Sequence, residues 1–336
     1  MEEPAEIWLC LSGGNALGAY HAGAYSVLYR AGIRPVRIAG TSVSAIVAAI
    51  IAGNNWDNRV ARLDEFWEIA TDDLAIANVA SHWNGSKIAP SLGTLMQGRP
   101  PLFRPSAAVW WQRLFSFSSP SLFGRSGLRD ELRRLVDFEH LNNGGVRLII
   151  NAVDVTTGQE QVHDSAKMTI TVDHLIASSA FPVIFPPEEI DGHHMVDEGL
   201  AANLPVLPPF QEPPTRRVRC LAFDLASARG SNPESVDSAI HRMQDLLLSA
   251  QSAHSVEMLG WRSSQWQVGA SLLHVAYNGH GEVGGKMLDF SAPSMKARRQ
   301  AGEADAATAL GWLHQRDDEN DRLPSTMKDY SFALSS

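Results

Sequence analysis

Three short stretches hold residue types that can do chemistry together. In Gly40-Thr41-Ser42-Val43-Ser44, a serine follows the lead-in Arg37-Ile38-Ala39 and precedes an unbroken apolar run up to Gly53. Such a strand–turn–helix corner lifts the Ser42 hydroxyl clear of its neighbours and aims a helix N-terminus at it. The helix dipole and its unpaired amides then favour negative charge developing beside Ser42. The plainer reading of the same residues is a buried helix with a serine N-cap. The second stretch is Ser12-Gly13-Gly14-Asn15-Ala16-Leu17-Gly18, where Gly13, Gly14 and Asn15 offer successive backbone N–H groups to an anion, a phosphate or a transient oxyanion. The third is Asp197, at the end of an apolar strand before a glycine turn, on the sheet edge that carries the other strand–helix corners. Taken alone, such an aspartate is usually a turn former or helix cap.

These residues need elements to hold them. Residues 7–11 read as a short buried parallel strand, the glycine turn leads into a helix over 19–28, and Pro35 introduces the strand of the serine corner. The helix after Ser42 is apolar on every side, so it must be buried, and Gly53 is expected to close it in the left-handed conformation. The spacing is not Gly-x-Gly-x-x-Gly and no Lys-Ser/Thr pair closes a P-loop, so both nucleotide-binding readings fail. Further strands are expected over 146–154, 159–163, 219–225 and 272–277. Helices are expected over 54–70, 127–136, 235–266 (one or two, with Met243, Leu246, Leu247 and Leu248 toward the core) and 295–313. Strands alternating with helices make this an α/β protein.

The hydrophobic share of 44% is globular, and the net charge of −9 argues against nucleic acid as a partner. Cys10 and Cys220 both lie in apolar runs and read as core thiols rather than a disulfide or metal pair. The start Met1-Glu2-Glu3-Pro4 lacks the basic and apolar parts of a secretion signal. No apolar run approaches the ~20 residues that cross a bilayer, so a cytoplasmic location is expected. Residues 74–120 hold no acid but carry Lys87, Arg99, Arg104 and Arg113 among the aromatics Trp83, Phe103, Trp110, Trp111, Phe115 and Phe117. Such an insertion, bounded at about 74–124, is either a helical satellite with buried aromatics or a lid that meets acyl chains and anionic headgroups. One domain is expected over 1–314, and the polar remainder, 315–336, is expected to fray.

The two corners, in this order, resemble the patatin-like phospholipase family, which has a Gly-Gly-Gly-x-Arg/Lys-Gly loop followed by a Gly-x-Ser-x-Gly elbow. Ala177-Ser178-Ser179-Ala180-Phe181-Pro182-Val183-Ile184-Phe185-Pro186-Pro187 resembles the family's Ala-Ser-x-Ala-x-Pro-x-x-Phe-Pro-Pro block, and Asp197-Glu198-Gly199 with Asn203-Leu204-Pro205 matches its Asp-Gly-Gly/Ala and Asn-x-Pro. Four positions depart: Asn15 for glycine, Leu17 for the basic residue, Ser44 for the last elbow glycine and Glu198 for glycine. Asn15 tolerates positive φ, and Ser44 is small enough to pass close to the neighbouring strand. Leu17 removes a positive charge.

The resemblance implies a three-layer α/β/α fold around a mainly parallel sheet, no cofactor, and hydrolysis of lipid or phospholipid acyl esters with transient contact at a membrane surface. It also implies roles: Ser42 as nucleophile, Asp197 as base, and Gly13, Gly14 and Asn15 as the oxyanion hole. A lone carboxylate is a weak base for serine, so its site should be desolvated, and Glu198 pointing inward would push its pKa the same way. A Ser–His–Asp triad through His274 or His280 is the chemical rival, while His21, His193 and His194 read as cap, core or turn residues. The rival from another class is a catalytically weak lipid-binding or partner-binding protein on the same fold.

Overall fold

The computed structural model describes residues 4–71, 89–105, 121–264, 266–279, 281–282, 285–314 and 327–332. In chain order the elements are β1 (Glu6–Leu11), α1 (Ala19–Arg30), β2 (Arg37–Gly40), α2 (Val43–Ala52), α3 (Arg59–Ala70), α4 (Ala89–Gln97), β3 (Arg104–Pro105), β4 (Phe123–Gly124), α5 (Ser126–Leu135) and α6 (Phe138–Asn143). They continue with β5 (Arg147–Asp154), β6 (Glu160–Asp164), α7 (Val172–Ser178), β7 (Glu188–Ile190), β8 (His193–Asp197), β9 (Val218–Asp224), α8 (Val236–Ser263), β10 (Ala270–Ala276), α9 (Ala292–His314) and β11 (Met327–Phe332).

The main sheet runs β11-β10-β9-β1-β2-β5-β8-β7, with β6 folded back on β5. The strands β10, β9, β1, β2 and β5 are parallel, and antiparallel strands flank them at both ends. The period-two alternation of β1 divides two cores. Leu9 and Leu11 face the larger cluster with α1, α2 and α3, while Trp8 and Cys10 face a second cluster with Val256 and Leu259 of α8. Helices thus cover both faces, and the fold is three-layer α/β/α. Because β2 lies on one side of β1 and β9 on the other, the chain changes direction at the carboxyl end of β1, where an open α/β sheet leaves a crevice.

All ten residues of α2 are buried, as an all-apolar helix must be. Gly53 does cap it, but at φ −88 rather than in the left-handed region. Glycine is needed there for room: a Cβ would lie 2.6 Å from Val136 Cγ1 and 2.9 Å from the Ala49 carbonyl oxygen. Cys10 and Cys220 are buried thiols 3.6 Å apart.

Two expectations about the C-terminal third are corrected. Helix α8 is continuous, but Met243, Leu246 and Leu247 are 53, 50 and 60% exposed. Its inward face is instead Asp245, Ser249, Ser252, Ser255, Val256 and Leu259. Asp245 turns inward to meet the buried Lys286 ammonium at 2.5 Å and His241 at 3.0 Å, which turns the leucine run outward. The segment after 314 does not simply fray, because Met327–Phe332 pairs antiparallel with β10 and covers that sheet edge.

Within the insertion, the described residues form α4 and the antiparallel pair of β3 with β4. Phe103 packs edge-on against Phe123, Phe185 and Phe290. Arg99 is buried, donating to Thr94 Oγ1 at 2.6 Å, so it is not an outward-facing headgroup cation, whereas Arg104 is exposed. Trp83, Lys87, Trp110, Trp111, Arg113, Phe115 and Phe117 lie outside the described residues. No helix among the described residues is long and apolar enough to cross a membrane.

Candidate active site

Strand β2 ends at Gly40, and the chain turns so tightly that a Cβ there would lie 2.2 Å from the Ser44 carbonyl oxygen. Only glycine fits. Ser42 follows at φ 61, an uncommon conformation for a non-glycine residue and one that projects its side chain away from both strand and helix. The corner is pinned by Thr41, whose N–H donates to Leu11 O at 3.2 Å and whose Oγ1 donates to Asn151 Oδ1 at 3.0 Å. Ser44 is fully buried, and its hydroxyl donates to the Ser12 carbonyl at 2.7 Å, tying the elbow to the glycine loop.

Ser42 stands at the N-cap position, yet its side chain caps nothing. Its hydroxyl donates instead to Asp197 Oδ2 at 2.6 Å. The other carboxylate oxygen, Oδ1, accepts from the Gly199 amide at 2.8 Å, which fixes the orientation of the carboxylate. Asp197 is 1% exposed, and burial pushes its pKa up to about 6, against the opposing pull of the Ser42 and Gly199 hydrogen bonds and the Arg125 charge. A carboxylate poised near neutrality is a better base than an ordinary one.

Glu198 is also buried, and its pKa is pushed up to about 8 by burial, by Glu160 and by Asp197 itself. The protonated Glu198 is therefore neutral where Asp197 titrates. The expected like-charge push on Asp197 is absent, and the push runs the other way.

The loop after β1 approaches from the opposite side. Asn15 takes φ 51, the left-handed conformation expected of it. A Cβ on Gly13 would meet Asn203 Oδ1 at 2.7 Å and Ser42 Cβ at 2.9 Å, so glycine lets the loop close on the serine. Gly13 is corrected as an oxyanion donor, because its N–H is already given to the Asn203 carbonyl at 3.2 Å. Among the described residues neither the Gly14 nor the Asn15 amide donates to another protein group. Leu17 is buried in the core, and the loop is held instead from α9, where Arg298 Nη1 donates to the Ala16 carbonyl at 3.3 Å.

Ser42 and Asp197 open onto a cavity of about 260 Å³, walled by Phe66, Trp67, Leu102, Phe103, Phe185 and Phe290 among others. Its wall is apolar, and Ser42 and Asp197 sit among its few polar groups. Among the described residues no histidine is hydrogen-bonded to Ser42. His274 pairs with Asp224 at 3.1 Å, His193 with Asp154 at 2.8 Å, and His21 with the Ser12 carbonyl at 3.0 Å. His194 is exposed on β8, and His280 lies outside the described residues.

The family model for patatin-like phospholipases matches residues 9–210, more than half of the chain, and covers the serine corner, the glycine loop and Asp197. The chain belongs to the patatin-like phospholipase family. That membership supports a lipid hydrolase function in general terms. Among solved structures, VipD from Legionella pneumophila is similar at 15% identity and a TM-score of 0.44, covering 98% of this chain and 68% of VipD. The type III effector protein ExoU is similar at 14% identity and a TM-score of 0.37, covering 99% of this chain and 56% of ExoU. ExoU crystallised with SpcU from Pseudomonas aeruginosa gives 15% and 0.38, covering 99% and 55%. No curated protein matches the chain.

The patatin-like match ends at residue 210, yet later residues complete the site. Leu225 donates its amide to Ser12 Oγ at 2.7 Å, and Gln244, Leu248, Met287, Leu288 and Phe290 line the cavity. Three supporting residues escaped the sequence reading. Asn203 clamps the loop through Nδ2 to the Gly13 carbonyl at 3.1 Å, Ser178 Oγ accepts from the Ser42 amide at 3.3 Å, and the buried Arg125 donates to the Ile176 and Pro186 carbonyls. Asn203 and Ser178 stand in quoted family blocks, a signal that gave no role. Arg125 had no signal at all.

Proposed function

We propose that this patatin-like chain is a serine lipid acyl hydrolase of the phospholipase A or esterase type, working through a Ser42–Asp197 dyad. The observation that carries this reading is the 2.6 Å hydrogen bond from Ser42 to a buried, oriented Asp197 at the floor of an apolar cavity.

In this mechanism Asp197 takes the hydroxyl proton as Ser42 Oγ bonds to the ester carbonyl carbon. The amides of Gly14 and Asn15, with the N-terminus of α2, hold the oxyanion. Collapse breaks the ester C–O bond, the leaving alcohol takes the proton from Asp197, and the acyl group stays on Ser42. Water, deprotonated by the same aspartate, then attacks the acyl-enzyme, and Ser42 recovers its proton as the fatty acid leaves.

The substrate is a lipid or phospholipid acyl ester met at a lipid surface, without a cofactor. Val236, Ile240, Met243 and Leu247 form one exposed apolar stripe on α8, the helix whose Gln244 and Leu248 line the cavity.

The test is hydrolysis of short and medium p-nitrophenyl acyl esters by the wild type, Ser42→Ala and Asp197→Asn, with fluorophosphonate labelling alongside. Activity lost in both variants, and labelling lost in Ser42→Ala, is the expected result. Activity that survives Ser42→Ala removes the nucleophile assignment. A wild type that neither hydrolyses nor labels is the lipid-binding protein of the alternative reading.

A further inference from the structure

Arg125 precedes α5 and is only 6% exposed. Among the described residues no carboxylate makes an ion pair with it. Its Nη1 donates to the Ile176 carbonyl at 2.6 Å and to Ser179 Oγ at 3.3 Å, and its Nη2 donates to the Pro186 carbonyl at 3.2 Å. The guanidinium carbon lies 5.0 Å from the ring centroid of Phe185, a residue of the cavity wall. A buried cation satisfied only by neutral acceptors is costly, and it persists where its charge or its fork geometry is used.

The segment it grips is the one that holds both halves of the dyad. Ile176 O lies in the last turn of α7, the negative end of that helix dipole. Two residues on, Ser178 Oγ accepts the Ser42 amide at 3.3 Å, and the Ala180 carbonyl accepts the Asp197 amide at 3.1 Å. Glu188 and Asp197 act on the Arg125 charge favourably and Arg129 opposes it, but Arg129 is itself paired with Asp173 and Glu188. Around Asp197 the groups that bear on its ionisation are Ser42 and the Gly199 amide, the neutral Glu198, and Arg125.

We propose that Arg125 is a positioning residue for this reaction: its guanidinium fork locks the 176–186 turn from which Ser42 and Asp197 are held. This rests on the dyad reading above. Arg125 acts through the turn it binds, whose Ser178 and Ala180 hold the backbone of Ser42 and Asp197.

The experiment is a pH profile of kcat/KM for p-nitrophenyl butyrate with the wild type, Arg125→Met and Arg125→Lys, with thermal melts on each. In Arg125→Met the acidic midpoint moves up by roughly 0.5–1 pH unit, since losing a nearby cation favours the protonated carboxyl. Its kcat falls roughly tenfold or more as the turn loosens. Arg125→Lys restores the midpoint but not the full kcat, because an ammonium keeps the charge without the fork. A folded Arg125→Met that keeps the wild-type kcat overturns the proposal, whatever its midpoint or melting temperature. If Arg125→Met does not fold, Arg125→Lys decides: a wild-type midpoint with lowered kcat supports the proposal, and wild-type kcat overturns it. Failure of the dyad reading shows separately, as full activity in Asp197→Asn.

Discussion

Asp197 and Glu198 are neighbours in the chain and both buried, yet only Asp197 has donors aimed at its carboxylate. It accepts from Ser42 and Gly199, whereas Glu198 Oε2 has no hydrogen-bond partner among the described residues. The two acids therefore separate, Asp197 at about 6 and Glu198 at about 8. On the dyad mechanism, kcat/KM rises with pH through about 6 as Asp197 loses its proton, and a stopped-flow or plate-reader profile on a soluble ester reads this directly.

The same pair makes stability fall with pH. Both carboxyls have folded pKa values above their unfolded values, so each stabilises fully below about pH 4 and loses that contribution as pH rises through its folded pKa. Below about pH 6.5 the buried His21, His163 and His174, whose pKa values burial lowers, act in the opposite sense, so the wild-type melting temperature is expected to decline from about pH 6.5 to 8 as Glu198 loses its proton. Glu198→Gln should flatten the upper part of that decline and leave the Asp197 limb of activity in place. Thermal melts at half-unit steps of pH, run on both proteins, are the check.

Gly40 should tolerate no side chain. With the Ser44 carbonyl 2.2 Å from the Cβ position, Gly40→Ala must displace the first turn of α2 and with it Ser42. Overpacking of this kind costs about 1–3 kcal/mol, and the displaced hydroxyl should take esterase activity down by at least a hundredfold. A denaturant melt and one kinetic assay cover both.

Ser44→Ala removes the 2.7 Å bond to Ser12 and leaves a buried carbonyl with one donor fewer, since His21 also contacts it. A loss of about 1 kcal/mol in stability is expected, with a modest fall in kcat because the elbow and the glycine loop are no longer tied. Urea denaturation with matched kinetics separates the two.

The cavity should set acyl-chain preference. Each methylene buried contributes about 0.8 kcal/mol, so kcat/KM should climb roughly fourfold per carbon until the cavity is full and then level off. Phe103→Ala, opening the wall beside Phe185 and Phe290, should move that plateau to longer chains in a p-nitrophenyl ester series.

If α8 meets lipid, Leu247→Asp should depress hydrolysis of phosphatidylcholine vesicles several-fold while hydrolysis of a soluble butyrate ester stays unchanged, because Leu247 is 60% exposed. Equal rates on both substrates would place the lipid contact elsewhere.

The sequence by itself determined what is local. Gly40-Thr41-Ser42 before an all-apolar run can only be a tight corner with a buried helix, and Asn15 in a glycine loop signals its positive φ, because both depend on sterics within a few residues. The strands of the parallel sheet were legible for the same reason. Motif order also pointed to Asp197, but 155 positions separate it from Ser42, and only the pairing of β8 with β5 beside β2 brings the two within a hydrogen bond. Tertiary structure alone decided which amides stay free, since Gly13 spends its N–H on Asn203, and which acid keeps its proton, since burial and partners set both pKa values. It likewise decided which face of α8 lies inside, where the buried Lys286 draws in Asp245 and turns three apolar side chains outward against their own hydropathy. Electrostatic pairing across the fold is invisible to periodicity, and in α8 it outweighed the hydrophobic preference of Met243, Leu246 and Leu247.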